Sequence, residues 1–408
     1  MSVLPLQRQK GMECIDAFSM YDMPAVSLVT GNGLSGRLRF FILENGQRGN
    51  NQGRIINNMR KLKSAAALLL ALVMLLSTTA CSGDTTWAAK YGDTTLPVGV
   101  YIYNVYNAYY QAYYQTSDSS TPVLEQQIND QPTSDWFKEQ ASESVKGILF
   151  TQQKFKDLGL SFTDEELAQQ QATLNSNWAQ ASTLMQNLGI AKESFNIAFV
   201  QQQAMYQKIF EAIYGKGGEK EVSDEELANY YTENYTHYGY FTKSLTTTDE
   251  DNQAVDLSDE EIAEIGAKFE EYANAINEGQ SPEEAAQTYQ NDEGLDNSPY
   301  HESTQILDDS SLSEDLISAL KDLEAGKAQA IKSGTTYYVI YKYDINDSVS
   351  DLQNEDTRAQ YLAYMKGGEY DSTMAADAEA FEGVQMNDAA VNKYTPEHVE
   401  KVLQGQRS

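Results

Sequence analysis

Only two cysteines, Cys14 and Cys81, occur in 408 residues, which excludes a disulfide scaffold and any cysteine-rich zinc cluster. The three histidines, His237, His301 and His398, stand too far apart in sequence for a His-x-x-x-His metal helix. Basic residues are also scarce: 29 Lys and Arg against 60 Asp and Glu leave a formal net charge of −31. Such a field repels a phosphate backbone, so a nucleic-acid partner is excluded. The sequence has no Gly-x-Ser-x-Gly elbow, no phosphate loop ending in Gly-Lys-Ser/Thr and no Asp-x-Asp-x-Asp-Gly loop. Serine-hydrolase, nucleotide and calcium chemistry therefore lack their usual parts, and no cofactor or metal is expected. No apolar run reaches the roughly 20 residues that a membrane-spanning helix needs.

The apolar run that does occur, the 12 residues 65–76, follows Met59-Arg60-Lys61-Leu62-Lys63 and precedes Ser77-Thr78-Thr79-Ala80-Cys81. A basic start, a short apolar middle and small residues before a cut make a secretory signal. With a cysteine directly after Ala80, the segment resembles the bacterial lipoprotein signal, which implies a diacylglyceryl group on Cys81 and stable anchoring by two or more acyl chains. Thr78 departs from that pattern, where leucine is commoner. Residues 59–80 are read as the signal, 1–58 as an extension outside the working fold and 81–86 as a tether. Nine of the 29 basic and four of the 60 acidic residues lie in 1–80, which leaves the exported part with 20 against 56 and a net charge of −36.

Beyond the tether, residues 87–100 alternate polar and apolar around Gly92 and predict a strand pair. Tyr103, Tyr106, Tyr110 and Tyr113 then recur at helical spacing, widened by Tyr109 and Tyr114. Such a stripe is either core packing or a client-binding face. A loop is expected at 117–122 and a helix over 135–159, closed by Gly159. Four segments, Thr163-Asp-Glu-Glu166, Ser223-Asp-Glu-Glu226, Ser258-Asp-Glu-Glu261 and Ser281-Pro-Glu-Glu284, place a hydroxyl three residues before a carboxylate. Each is a helix start with reciprocal capping, and the acidic first turns suit the positive helix end. Residues 167–214 read as helix broken near Leu188-Gly189-Ile190, and 215–218 as a hinge linker. A strand at 238–247, helices at 259–278 and 282–289, a loop to Tyr300, a helix at 312–323 and a strand within 331–343 around Ser333-Gly334 form a compact α+β module. Residues 357–381 return to helix, with Tyr361, Leu362 and Met365 on one face.

This order resembles the PrsA and SurA family of extracytoplasmic foldases: lipoprotein signal, strand pair, aromatic helix, Leu158-Gly159-Leu160 before a Thr-Asp-Glu-Glu-Leu start, then Ser223-Asp-Glu-Glu-Leu-Ala-Asn-Tyr-Tyr231. The resemblance implies an α+β protein. A mainly helical chaperone domain from 87–234 and 347–408 would carry an inserted parvulin-like prolyl isomerase domain at 235–346. In the first strand of that insert Ser244 stands where the family has histidine, and in the last strand Tyr338 replaces the second histidine. Asp292 falls at the family's aspartate or cysteine position. Leu312 and Leu316 stand at the two proline-pocket positions, with Leu245 and Ile340 completing an apolar groove. His237 reads as a surface residue and His301 as a loop residue within possible reach of the groove.

Turning a prolyl bond requires no covalent catalyst, only a site that favours the twisted amide over a barrier of about 18–20 kcal/mol. The resemblance therefore leaves three readings. One is a lipid-anchored chaperone on the extracytoplasmic membrane face that binds unfolded or newly exported polypeptides through a degenerate module. Another is a working isomerase using Ser244, Asp292 and Tyr338. The third is a ligand-binding or adhesive lipoprotein with no folding role.

Overall fold

The computed structural model describes residues 83–116, 121–249 and 253–405. The signal, Cys81 and the 1–58 extension lie outside the described residues, as do residues 117–120 of the expected loop. In chain order the strands and helices are β1 (Trp87–Tyr91), β2 (Thr94–Pro97), α1 (Val98–Gln115), β3 (Gln127–Ile128), β4 (Gln131–Pro132), α2 (Thr133–Asp157), α3 (Asp164–Asn187), α4 (Lys192–Phe195), α5 (Gln202–Tyr214), α6 (Asp224–Asn234), β5 (Thr236–Ser244), β6 (Thr246–Thr248), β7 (Ala254–Asp256), α7 (Asp259–Asn277), α8 (Pro282–Glu293), β8 (His301–Gln305), α9 (Glu314–Asp322), β9 (Lys327–Ser333), β10 (Thr336–Lys342), α10 (Glu355–Glu379), β11 (Gln385–Met386), α11 (Asp388–Val391) and α12 (Pro396–Gly405). The fold is mixed α+β. Its described residues divide into two compact units, one formed by those up to Glu221 together with those from Lys366 onward, the other by those of Val222–Met365.

The first unit is helical around α1. Its strand pair ends at Pro97, because Val98 already begins the helix, and β1 takes β11 as its second antiparallel neighbour. Tyr103, Tyr106 and Tyr109 are buried, with Tyr103 edge-on to Phe195 at 5.6 Å and Tyr109 at 5.8 Å from Phe137. At the last turn Tyr113 and Tyr114 are 45% and 67% exposed. The stripe is thus core packing over most of its length, and only its end reaches solvent. Helix α2 closes as expected: Gly159 takes φ +65°, Leu160 N–H donates to Phe155 O at 3.1 Å and Gly159 N–H to Lys156 O at 2.9 Å, the paired bonds that satisfy final carbonyls. The expected tether is shorter than 81–86, because Asp84 and Thr86 are already hydrogen-bonded to the body of this unit.

All four capping boxes form, with both reciprocal bonds present at Thr163/Glu166, Ser223/Glu226, Ser258/Glu261 and Ser281/Glu284. In the second unit, β5 pairs with β8 and β10, and β10 with β9, giving an antiparallel sheet of order β8-β5-β10-β9. Ser333-Gly334, expected inside one strand, lies instead where two strands turn: β9 ends at Ser333 and β10 begins at Thr336. Helix α9 starts at Glu314 with Ser313 as its cap, so Leu312 precedes it. Strand β8, His-Glu-Ser-Thr-Gln, begins at His301, which the sequence places in a loop. It is an edge strand without apolar alternation, and only its pairing with β5 makes it a strand.

In the first unit, α5 and the second half of α10 are joined by an aromatic lock. Tyr206 lies 4.7 Å and Phe210 5.2 Å from Tyr370. Tyr370 Oη donates to Tyr206 O at 2.7 Å, and Tyr206 Oη donates to Asp371 Oδ1 at 2.8 Å. Burial raises the Asp371 carboxyl above its ordinary 3.8, and the bond from Tyr206 opposes this only in part. A carboxyl raised in the folded state favours folding when protonated, so its ionisation costs stability above the folded-state pKa, and that cost fades as the pH falls toward 3.8. Asp371→Asn, whose amide oxygen still accepts from Tyr206, is expected to raise the melting temperature at pH 7. Calorimetry from pH 7 to pH 3 should show that advantage shrinking to nothing; a constant difference would contradict this account.

Candidate functional site

Side chains alternate across the pleat, and the register of β5 against β10 sorts the second unit's residues onto two faces. Phe241 opposite Val339 and Lys243 opposite Tyr337 face one way; Tyr240 opposite Ile340 and Thr242 opposite Tyr338 face the other. The first face is covered by α7 and α8. Phe241, Phe269, Tyr272, Tyr289 and Val339 form its core, with Phe241 stacked on Tyr289 at 5.3 Å. Leu316, Leu320, Ile340, Tyr238 and Leu307 form the core of the second face, with Leu312, Ile331, Tyr240 and Tyr338 partly buried against it.

This second face is the candidate site. Ile340 and Leu320 are fully buried and make its floor. Tyr240 and Tyr338 are half-buried at the edge of the floor, with ring centres 6.4 Å apart. His301, directly opposite Tyr240 in the β5–β8 pairing, brings its imidazole to 5.5 Å from that ring. Tyr238 is buried behind them; its hydroxyl accepts from Gln305 Nε2 at 2.5 Å, and burial raises its pKa. A polar margin follows at α9: Ser313 and Ser333 hydroxyls lie 2.6 Å apart, and Ser333 Oγ donates to Asp315 Oδ2 at 3.3 Å. Aromatic rings over an aliphatic floor suit apolar segments and proline rings of an extended peptide. No group of three metal-ligating side chains occurs among the described residues.

The residues expected from the sequence divide between the two faces. Leu316, Ile340, Leu312 and Tyr338 come together as the groove. Leu245 is buried, but beyond the end of β5, where its N–H donates to Thr335 O and its carbonyl accepts from Leu257 N–H, outside the groove cluster. Ser244 lies at the exposed end of β5, its hydroxyl 2.9 Å from Thr246 Oγ1. Asp292 belongs to the opposite face: its Oδ2 accepts from Tyr272 Oη at 2.7 Å and lies 3.6 Å from Lys268 Nζ. Burial, then the bond to Asp292, raises the Tyr272 phenol. The network Ser244, Asp292 and Tyr338 is therefore not assembled, because the sheet stands between Asp292 and Tyr338. His237 is not a free surface residue; it stacks on Tyr343 at 4.3 Å, with Nε2 3.3 Å from Glu302 and Nδ1 3.3 Å from Ser348 Oγ.

Tyr238, Tyr240 and Leu320 were missed, although signals for them were present. The i, i+2 spacing of Tyr238 and Tyr240 puts both on one strand face, and Leu316 and Leu320 are four apart on one helix face. What the sequence lacked was the register that links these faces to Ile340.

No family model matches the sequence. No curated protein matches it either. Among solved structures, the chain is similar to PrsA from Bacillus subtilis, at 16% identity and TM-score 0.23, over 66% of this chain and 85% of that one. It is also similar to the foldase protein PrsA from Streptococcus pneumoniae, at 15% identity and TM-score 0.31, over 66% of this chain and 98% of that one. Against the peptidylprolyl isomerase PrsA from Bacillus cereus the values are 16% identity and TM-score 0.25, over 70% and 98%.

The separation of the two faces has a direct test. Asp292→Ala removes the acceptor of a half-buried tyrosine hydroxyl and should cost about 1 kcal/mol. In heteronuclear NMR spectra its shift changes should fall on Phe269, Tyr272 and Tyr289 and leave Tyr240, Tyr338 and Leu320 in place. Equal changes on both faces would refute the assignment.

Proposed function

We propose that this protein is a lipid-anchored folding factor on the extracytoplasmic face of the membrane, one that holds unfolded or newly exported polypeptides. The observation that carries this reading is the half-open aromatic groove of Tyr240, Tyr338 and His301 over Ile340, Leu316 and Leu320. Its floor is apolar and its rim is aromatic, so it favours side chains that a folded client would bury. The order of sequence motifs that resembles PrsA and SurA proteins supports the same reading, and so does the charge of −36 on the exported part, which attracts basic stretches of unfolded chains. Binding is the activity assigned. Prolyl turnover is a second reading, favoured by the imidazole of His301 beside Tyr240; it requires a polar network other than the one expected from the sequence.

The test uses residues 81–408, with Cys81 replaced by serine for solubility, and a chemically unfolded client diluted from denaturant. Light scattering should show aggregation suppressed by the parent and restored substantially by Tyr240→Ala/Tyr338→Ala, with Asp292→Ala behaving as the parent. Suppression should weaken between low and high salt as the charge attraction is screened. Failure of the parent to suppress aggregation would overturn the reading. Prolyl exchange measured by NMR on the same proteins separates the second reading: a proline peptide turning over at the uncatalysed rate of tens to hundreds of seconds leaves binding as the sole activity.

A further inference from the structure

Where the chain leaves the proposed anchor, it is held to the first unit almost at once. Asp84 N–H donates to Gly189 O at 3.1 Å, Tyr394 Oη donates to Asp84 Oδ2 at 2.7 Å, and Val98 N–H donates to Thr86 O at 2.5 Å. Asp84 also caps its own turn by accepting from Thr86 N–H at 2.8 Å. Burial alone would raise the Asp84 carboxyl, but the bonds from Thr86 and Tyr394 and the charge of Lys393 bring it below its ordinary value, so the contact persists into mildly acidic solution. Gly83 fits here because it lacks a side chain: a Cβ on it would stand 2.3 Å from Ala191 N and 2.8 Å from Ala191 Cα.

The consequence is a limit on reach. Two residue steps separate Gly83 from Cys81, and an extended chain spans at most about 3.3–3.6 Å per residue, so the lipidated sulfur is confined to about 10 Å of the Gly83–Ala191 contact. Resting on the anchoring of Cys81 proposed above, we infer that the corner of the first unit formed by Gly83, Gly189, Ala191 and Tyr394 is apposed to the bilayer surface. The partner of this surface is the phospholipid headgroup layer. Helix α1 starts at this corner, through the Val98–Thr86 bond, and its 18 residues carry Tyr113 and Tyr114 about 25 Å away. The exposed aromatic end of α1 therefore lies farther from the anchor than this corner does. Because the exported part is strongly acidic, an anionic bilayer repels the body, and the short connection is what holds this corner down.

The experiment uses the full mature chain acylated at Cys81, in vesicles of phosphatidylglycerol and phosphatidylethanolamine containing a nitroxide-headgroup lipid. A fluorophore is attached through Asn187→Cys, beside the Gly189 turn, or through Tyr114→Cys. Quenching at 187 should exceed that at 114 several-fold. A flexible Gly/Ser insertion of about 12 residues between Ser82 and Gly83, with a root-mean-square reach of about 20 Å, should remove that difference. Equal quenching at the two positions on acylated protein, or a difference that survives the insertion, would overturn the inference while leaving the anchor intact. Mass spectrometry of the Cys81 peptide distinguishes the other failure: a peptide without acyl chains removes the anchoring reading and this inference with it.

Discussion

The pairing of β5 with β10 is the constraint from which the second unit takes its form. Once Phe241 lies opposite Val339 and Tyr240 opposite Ile340, the period of two assigns every other side chain of those strands to a face. One face accepts α7 and α8 around a dense set of aromatic rings, and the other accepts α9 through Leu316 and Leu320. The short α9 covers only part of its face, which leaves Tyr240 and Tyr338 half-open beside a closed aliphatic floor. A shift of one residue in this register would exchange the phenylalanine core for the tyrosine rim and leave neither face able to pack.

In the first unit, burial of the tyrosine stripe of α1 has a similar role. Tyr103 and Tyr109 meet Phe195 and Phe137 from two different helices, so a single helix organises segments distant in sequence. The second half of α10 is held by the ring contacts of Tyr206, Phe210 and Tyr370 and by the bond from Tyr206 to Asp371. Tyrosine suits this work because it contributes apolar ring area and still carries a hydroxyl that can satisfy a buried carbonyl or carboxylate. It also explains how so acidic a chain packs: the carboxylates in these contacts receive tyrosine hydroxyls, as Asp84, Asp292 and Asp371 do.

Local signals were legible because their physics is local. A hydroxyl and a carboxylate three residues apart bond across a single turn, and all four such pairs form as expected. Gly159 ends its helix for an equally local reason, the left-handed conformation that it adopts. Strands were harder to read. His301–Gln305 has no apolar alternation and becomes a strand only by hydrogen bonding to β5, and the turn at Gly334 separates two strands whose sequences run together as one. Leu316, Ile340 and Tyr338 were named together with Asp292 through the resemblance, and the structure puts Asp292 on the other face because position in a motif says nothing about which side of a sheet a residue occupies.

By itself the sequence determined the four capped helix starts, the stop at Gly159 and the large excess of acidic residues, because each follows from composition or from contacts within a few residues. Tertiary structure alone decided that Asp292 and Tyr338 are separated by a sheet, that Tyr238, Tyr240 and His301 join the groove, and that the chain is fixed to its unit from Asp84 onward. Those outcomes depend on pairings between residues from about 60 to more than 300 positions apart, and such pairings are set by which faces can be buried together.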